Sequence, residues 1–471
     1  MKQRPALPAG PYLVVGLARS GVAAALALRA RGEEVLGLDA GAPPGTSALQ
    51  EAGVEIFIDD RDGAALLDRV GAVVKSPGVP ATAPVITAAR ERGIALLGEL
   101  ELAWRLLTNE FIAVTGTNGK TTTVELIGHI HREAGLPVAV AGNVGTALSS
   151  LIATLDGEAT VVCEASSFQL EDTLEFAPEG AVLLNITPDH LDRHGTLEAY
   201  AAAKLEIFAR QGVADVAVTP ADLDERIAWA GASADRAAAP IGGDARRVDF
   251  GWDSSAALFE LDGELWWQGR PLIALEQMRL RGRHNVENAM AAAAVCLARG
   301  IGRQAVCAGL ASFAGVAHRL EEIAELDGVL YVNDSKATNV ASALVALDAF
   351  AGRPVHLILG GQGKGQDFTS LRGPVQQACA AVYLIGEDAQ TIAAALRNIG
   401  PPVLECGDLE HALDAASKAV QEDDDATSTR ALADGLAPVV LLSPACASFD
   451  QFADFEARGE RFRALVEKLQ G

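Results

Sequence analysis

The chain has 471 residues, 49% hydrophobic and 21% charged, enough for roughly two to four domains with substantial cores. Its formal net charge of −24 argues against a nonspecific nucleic-acid or anionic-membrane partner, although local loops can still be basic toward small anions. Met1 to Gly10 lacks the apolar core of a secretory signal, no apolar run is long enough to span a bilayer, and the six cysteines form no C-x-x-C pair, so a protein of the reducing cytoplasm is expected.

In chain order, the first β-rich runs are Tyr12–Val15, Glu34–Leu38, Val54–Phe57 and Ala72–Lys75, with a helix pattern over Ser20–Arg31 that Gly32 ends. This is the βαβ rhythm of a parallel sheet with helices on its faces. The turn Gly16-Leu17-Ala18-Arg19-Ser20-Gly21 is a G-x-G-x-x-G with Ala at the second glycine, and Asp39 ends the next strand, where a ribose-binding acid belongs. These residues leave open a nucleotide site and a merely tight turn, and they do not specify NAD. Ser76-Pro77-Gly78 closes a later strand, at the edge where ligands gather on parallel sheets.

A second sheet begins at Phe111-Ile112-Ala113-Val114. The run Thr115-Gly116-Thr117-Asn118-Gly119-Lys120-Thr121-Thr122 follows it and precedes a helix pattern from Val124. A glycine loop between strand and helix, ending in Lys and Thr, cradles polyphosphate. Backbone N–H groups and the helix N-terminus face the anion, Lys120 reaches phosphate oxygens, and the Thr121 hydroxyl can bind Mg²⁺. Further strands lie at Val161–Glu164 and Ala181–Leu184. Glu164, at a strand end, suits a nucleotide's Mg²⁺. Asn185 to His194 contains His190 and His194 at helical spacing. A polar turn, a zinc pair and a shared phosphate pocket with Glu164 are the readings, with Pro188 against zinc. Lys204, within a helix pattern, reads as a solvated charge from composition alone.

Ala257 to Leu275 alternates around Asp262-Gly263 and predicts a hairpin with Trp266 and Trp267 on opposite faces, packing residues rather than ligand platforms. His284-Asn285-Val286-Glu287-Asn288 opens an Ala-rich helix running to about Arg299; Asn285 and Asn288 share a face and either bind a base edge or cap the helix. A third α/β unit starts near Gly315, with strands at Val329–Val332, Val355–Leu359, Ala381–Ile385 and Pro438–Leu442, and a solvated loop over Glu422–Thr429. Asn333 to Asn339, Gly360 to Gly365 and Ser443 to Ser448 follow three of these strands. Three such loops on one sheet predict a ligand rim, and Lys336 and Lys364 suit an anionic substrate.

Taken together and in this order, the Gly116–Thr121 loop, Glu164, Asp189-His190-Leu191-Asp192, Lys204, His284-Asn285 with Asn288, and His318-Arg319 resemble the Mur ligases, which build the peptide of bacterial peptidoglycan. The runs Asn333–Asn339, Gly360–Gly365 with Asp367-Phe368, and Leu442–Phe452 resemble the member that adds D-glutamate; Asp334-Ser335-Lys336-Ala337 stands where relatives for other amino acids carry an aspartate-tyrosine-alanine-histidine run. One departure is Phe449, at a position where leucine is expected.

The resemblance implies an α/β protein of three domains: a Rossmann-like N-terminal UDP-substrate domain over 1–98, a central P-loop-type ATPase domain over 99–315, and a Rossmann-like C-terminal domain over 316–471 that completes the ATP and D-glutamate sites. It implies an ATP-dependent amide ligase acting on UDP-N-acetylmuramoyl-L-alanine through an acyl phosphate, with two Mg²⁺ ions, as a cytoplasmic monomer with no nucleic-acid partner. Carried over by residue, Lys120 would stabilise the transferring phosphoryl group. Thr121 and Glu164 would hold one Mg²⁺, and His190 with a carbamylated Lys204 the second. Gly116, Thr117, Asn118, Gly119, Thr122, Asn285, Asn288, Arg319, Asp334 and Lys336 would contact ATP. Arg19, Ser20, Asp39, Ser76, Gly78, Asn143 and His190 would line the UDP-substrate site, and Thr338, Lys364, Ser448 and Phe455 would seat D-glutamate. Three competing readings explain less. A dehydrogenase leaves the Lys120 loop unexplained, a nucleotide switch leaves Lys336 and Lys364 without a task, and a folylpolyglutamate synthetase does not account for the first nucleotide-like domain.

Overall fold

Tyr12–Val15 (β1) is buried on both faces, with Tyr12 and Val14 in one apolar cluster and Leu13 and Val15 in another. Continuous burial of this kind belongs to parallel strands covered by helices on both sides, and it is why the run is apolar without alternation. The computed structural model describes residues 2–41, 45–58, 63–143, 145–225, 243–280, 282–363, 365–426 and 437–470. Two compact units are present, residues 1–313 and 314–471.

The first unit holds two sheets. With β1, Val35–Asp39 (β2), Glu55–Ile58 (β3), Ala72–Lys75 (β4) and Ala95–Gly98 (β5) make a parallel sheet in the order β3-β2-β1-β4-β5. The order reverses at β1, so the loops after β1 and β4 open a crevice at their carboxyl ends. Gly21, in the helix Arg19–Ala30, lies where a Cβ would stand 1.8 Å from the Gly16 carbonyl oxygen, so only glycine lets this helix pack so close to the first turn.

The second sheet has nine strands: Phe111–Thr115 (β6), Val138–Gly142 (β7), Thr160–Glu164 (β8), Gly180–Leu183 (β9), Val216–Pro220 (β10), Arg246–Gly251 (β11), Leu258–Leu261 (β12), Glu264–Trp267 (β13) and Arg270–Ala274 (β14). Their order is β14-β13-β12-β11-β10-β9-β6-β8-β7, parallel except for the antiparallel β12-β13-β14 meander. The expected hairpin is present with its turn at Asp262 and Gly263, both at positive φ, and β14 extends it by a strand. Trp266 stacks on Phe259 with ring centroids 6.3 Å apart, a packing role. Because β6 lies between β8 and β9, the ends at Thr115, Glu164 and Leu183 reach one edge.

The helix Glu99–Leu106 joins these two sheets, with Leu102 in the first sheet's core and Leu100, Ala103 and Trp104 in the second's. Its acidic residues are buried rather than solvated. Glu101 accepts from the N–H groups of Leu174, Glu175 and Phe176 and from Arg105, while Glu99 accepts from Ser149 N–H at 2.7 Å. Those donors satisfy the Glu101 carboxylate, whereas Glu99 keeps its Oε2 buried without a hydrogen-bond partner, and burial pushes its carboxyl up.

In the second unit, Glu321–Leu326 (β15), Val329–Asn333 (β16), Val355–Gly360 (β17), Cys379–Ile385 (β18), Val403–Gly407 (β19) and Val439–Leu442 (β20) form a sheet in the order β15-β16-β20-β17-β18-β19, parallel except for edge strand β15. Separate apolar clusters cover its two faces. One expectation is corrected: the stretch from Glu422 prolongs the helix Leu409–Ala426, because no Gly or Pro interrupts the pattern. The remainder of that expected loop, Thr427 to Thr429, lies outside the described residues. Among the described residues, no helix is long and apolar enough to cross a membrane.

Candidate active site

The phosphate loop spans the end of β6 and the start of the helix Lys120–Glu133. Gly119 is the helix N-cap in the left-handed region (φ 84°), and a Cβ there would lie 2.1 Å from Asn288 Oδ1. The glycine therefore serves both the turn and the approach of the helix Arg283–Ala298, which carries Asn285 and Asn288. Asn288 Nδ2 donates to Asn285 Oδ1 at 3.3 Å, and Gly282 occupies the helix N-cap, so the two asparagines face the loop rather than cap their helix. Asn185, just after β9, clamps the loop from the other side: its Oδ1 accepts from Asn118 N–H at 2.9 Å and its carbonyl from Thr117 N–H at 3.0 Å. Lys120 folds back, its Nζ donating to the Gly116 and Thr117 carbonyls at 2.9 and 2.8 Å. Thr122 is buried in the same first turn.

Three strand ends bring polar groups to this loop. Thr121 Oγ1 donates to Glu164 Oε2 at 2.8 Å, and Asn143 Nδ2 donates to Glu164 Oε1 at 3.0 Å. Hydroxyl and carboxylate oxygens side by side at a phosphate loop are a hard-donor set that fits Mg²⁺. Lys204 corrects the composition-based reading. Only 1% exposed, its Nζ donates to the Gly116 carbonyl at 2.7 Å, at the back of the loop, and lies 4.4 Å from the Tyr200 ring centroid. Burial above all, then the nearby Lys120 ammonium, pulls its amine down to about 6, against the opposing pull of Asp189 and Glu164. At neutral pH such an amine is largely uncharged and nucleophilic.

His190 is exposed and sits in the left-handed region (φ 51°) as N-cap of the short helix Leu191–His194. His194 is 3.0 Å from Ser167 Oγ and pairs with Glu171 at 3.0 Å, so it is engaged away from His190. Among the described residues, no cluster of three or more His, Cys, Asp or Glu has metal-site geometry.

At the crevice of the first sheet, Asp39 accepts from the N–H groups of Leu17 and Gly41, and Ser76 Oγ donates to the Gly16 carbonyl at 2.6 Å. Both side chains thus brace the first turn. Arg19, exposed beside Ser20, donates to the Gly145 carbonyl at 2.9 Å, next to the Asn143 loop, and Gly78 is exposed at the crevice.

In the second unit, Asp334 follows β16. Its Oδ1 accepts from Leu320 N–H at 3.1 Å and its Oδ2 from Ser443 Oγ at 2.8 Å, tying together the loops after β16 and β20 and the backbone beside Arg319. Burial pushes its carboxyl up to about 7, opposed by those hydrogen bonds and by Arg319 and Arg458. Lys336 Nζ lies 5.9 Å from the Phe455 ring centroid. Thr338 is half-buried in the same loop, Ser448 is buried after β20, and Lys364 lies outside the described residues.

Sequence reasoning missed Arg458. It is wholly buried in the helix Phe455–Lys468 and donates to Ser335 Oγ (2.9 Å) and to the Ser335 and Cys446 carbonyls (2.8 and 3.0 Å). One guanidinium thus binds the loops that carry Lys336 and Ser448. Asn185 and Tyr200, whose OH donates to Thr117 Oγ1 at 3.2 Å, were also missed. Asn185 stood inside a quoted motif, whereas nothing in the sequence around Arg458 distinguishes it from a surface arginine.

A phosphate loop with an acidic strand end beside it, in a chain of three α/β sheets, defines a nucleotide-dependent enzyme. The chain belongs to the Mur ligase family: its residues 11–98 match the Mur ligase MurD-like N-terminal domain, 114–296 the Mur ligase middle domain and 318–427 the Mur ligase glutamate ligase domain. Among individual proteins it is similar to the UDP-N-acetylmuramoylalanine--D-glutamate ligases of Pelotomaculum thermopropionicum (39% identical, covering 97% of both chains) and Anaeromyxobacter dehalogenans (43%, covering 98% of both). In fold it is similar to the UDP-N-acetylmuramate-alanine ligase of Thermotoga maritima (TM-score 0.56, 20% identical, covering 98% of this chain and 99% of that one) and to MurF of Acinetobacter baumannii (TM-score 0.57, 17% identical, covering 97% and 93%).

Proposed function

We propose that the protein joins D-glutamate to UDP-N-acetylmuramoyl-L-alanine at the expense of ATP, in peptidoglycan precursor synthesis in the cytoplasm, acting as a monomer. The observation that carries this reading is the meeting of Thr121, Glu164 and the buried Lys204 around one phosphate loop. A simple nucleotide switch has no use for a buried lysine behind the loop. An enzyme that must crowd several anions together has.

The substrate carboxylate attacks the γ-phosphorus of ATP, giving ADP and an acyl phosphate. The amine of D-glutamate then adds to the acyl carbon, and the tetrahedral intermediate expels phosphate as the nitrogen loses its proton. Lys120 would leave the Gly116 and Thr117 carbonyls for the phosphoryl oxygens. Gly116 to Thr122 would cradle the triphosphate through their N–H groups, with Asn285 and Asn288 beside the nucleotide. Thr121 and Glu164 would hold one Mg²⁺. Lys204 would fit a second as a carbamate, because Mg²⁺ takes oxygen ligands rather than an amine nitrogen; addition of its uncharged amine to CO₂ with loss of a proton gives that oxygen ligand, beside His190. Bound Mg²⁺ draws charge from the phosphoryl oxygens. His190 and Asn143 would also touch the muramoyl part, and Arg19, Ser20, Asp39, Ser76 and Gly78 would seat the UDP. Arg319, Asp334 and Lys336 would complete the ATP site, and Thr338, Lys364, Ser448 and Phe455 would seat D-glutamate. Domain boundaries at 98/99 and 315/316 accord with these roles.

The test is phosphate release with UDP-N-acetylmuramoyl-L-alanine, ATP, Mg²⁺ and a panel of amino acids. Turnover with D-glutamate is expected; turnover with L-alanine or diaminopimelate in its place would reject the assignment.

A further inference from the structure

Arg193 lies outside every role given above, yet it bridges the two sheets of the first unit. Its guanidinium carbon sits 3.7 Å from the centroid of the Phe168 ring, and its Nη1 donates to the Pro77 carbonyl at 3.3 Å, inside the Ser76–Gly78 loop of the first sheet. Its Nη2 is shielded from solvent without a hydrogen-bond partner, 3.9 Å from Glu171 Oε2. A guanidinium nitrogen kept from water with its N–H groups unmet is costly unless its placement is used, although the side chain as a whole is only partly buried.

Both neighbours of Arg193 lead to the catalytic residues. Phe168 follows Glu164 by four residues, and it contacts His190 (ring centroids 4.9 Å) and stacks on His194 (5.4 Å). Arg193 itself lies three residues after His190, on the short helix that His190 begins. Glu171 pairs with His194, and the next residue, Asp172, pairs with Lys75 at the end of β4, one residue before Ser76. The Ser76–Gly78 loop is thus fastened twice to the segment following Glu164, once by Lys75–Asp172 and once by Arg193.

We propose that Arg193 is a positioning residue that ties the Ser76–Gly78 loop to the His190 turn, so that seating the nucleotide-linked substrate and placing His190 are one event. This rests on the reading of Ser76–Gly78 as part of the UDP site. The guanidinium's planar face is in use on Phe168 and its Nη1 on Pro77, two contacts that the point charge of a lysine does not make together.

The test uses the full chain with Arg193→Met, which keeps the apolar stem, Arg193→Lys, and Phe168→Leu. Wild-type turnover with D-glutamate is the control on the proposed reaction. Titration with UDP alone reads the loop without depending on that reaction. For Arg193→Met, the KM for the nucleotide-linked substrate should rise about tenfold, the size expected when one charge-assisted bond is lost. The kcat should fall with it, the KM values for ATP and D-glutamate should stay within about twofold, and UDP affinity should weaken. Arg193→Lys should not rescue, and Phe168→Leu should shift the same KM. Wild-type KM, kcat and UDP affinity in Arg193→Met would overturn the proposal. So would an equal loss toward all three substrates accompanied by a lowered Tm, which marks a merely structural arginine.

Discussion

Removing one partner of the Lys75–Asp172 pair should cost far more than removing both. The two side chains are 0% and 2% exposed, and they join β4 of the first sheet to the segment after β8 of the second. Asp172→Asn leaves the Lys75 ammonium buried, and breaking a buried pair in this way costs about 3–5 kcal/mol. Lys75→Met should cost less, because Asp172 keeps Arg90, half-exposed at 3.8 Å and free to swing closer. The double variant Lys75→Met/Asp172→Leu replaces charge by apolar volume, and such replacements are neutral to within about 1–4 kcal/mol on the stabilising side. The expected order of stability loss is therefore Asp172→Asn, then Lys75→Met, then the double variant. Urea unfolding followed by fluorescence and far-ultraviolet circular dichroism measures it; Trp104, buried on the helix between the sheets, is well placed to report. If Asp172→Asn costs under about 1 kcal/mol, or the double variant is the least stable of the three, burial of the pair does not govern the seam and the reasoning fails.

Gly119→Ala forces a side chain into the left-handed region and against Asn288; the two penalties together should destabilise by roughly 2–4 kcal/mol and weaken ATP binding, read by denaturation and calorimetry. Lys204→Ala should abolish turnover while circular dichroism shows the fold retained; wild-type rates would reject the role given to this lysine. Asp334 has its carboxyl raised from 3.8 to about 7, so the folded state binds the extra proton and its contribution to stability falls as pH rises from about 4 through 7. In Asp334→Asn that downward slope should vanish, and parallel wild-type and variant stability curves between pH 4 and 7 would count against the burial of this carboxyl. Arg458→Met should raise the KM for D-glutamate more than that for the nucleotide-linked substrate, because it frees the Ser335 and Cys446 loops; equal changes in both would argue for general loosening.

The sequence by itself determined the alternation of strands and helices, the positions of the strand-end loops and the phosphate cradle, because those depend on local periodicity and on glycines that specific backbone angles demand. Gly116 to Thr121 and Glu164 were legible for that reason. The edge strand Glu321–Leu326 was not, since its charged residues at an exposed edge give no apolar signal. What only the tertiary structure decided is the chemical state of particular side chains. Lys204 looks like any helical lysine until the phosphate loop at Gly116 and the Tyr200 ring lie against it, and Asp334 looks like an ordinary aspartate until Leu320 and the loop after β20 close on it. Arg458, Lys75 and Asp172 are read the same way: a charge shows in sequence, but the loss of its water and the identity of its partner arise only from residues brought together across the chain.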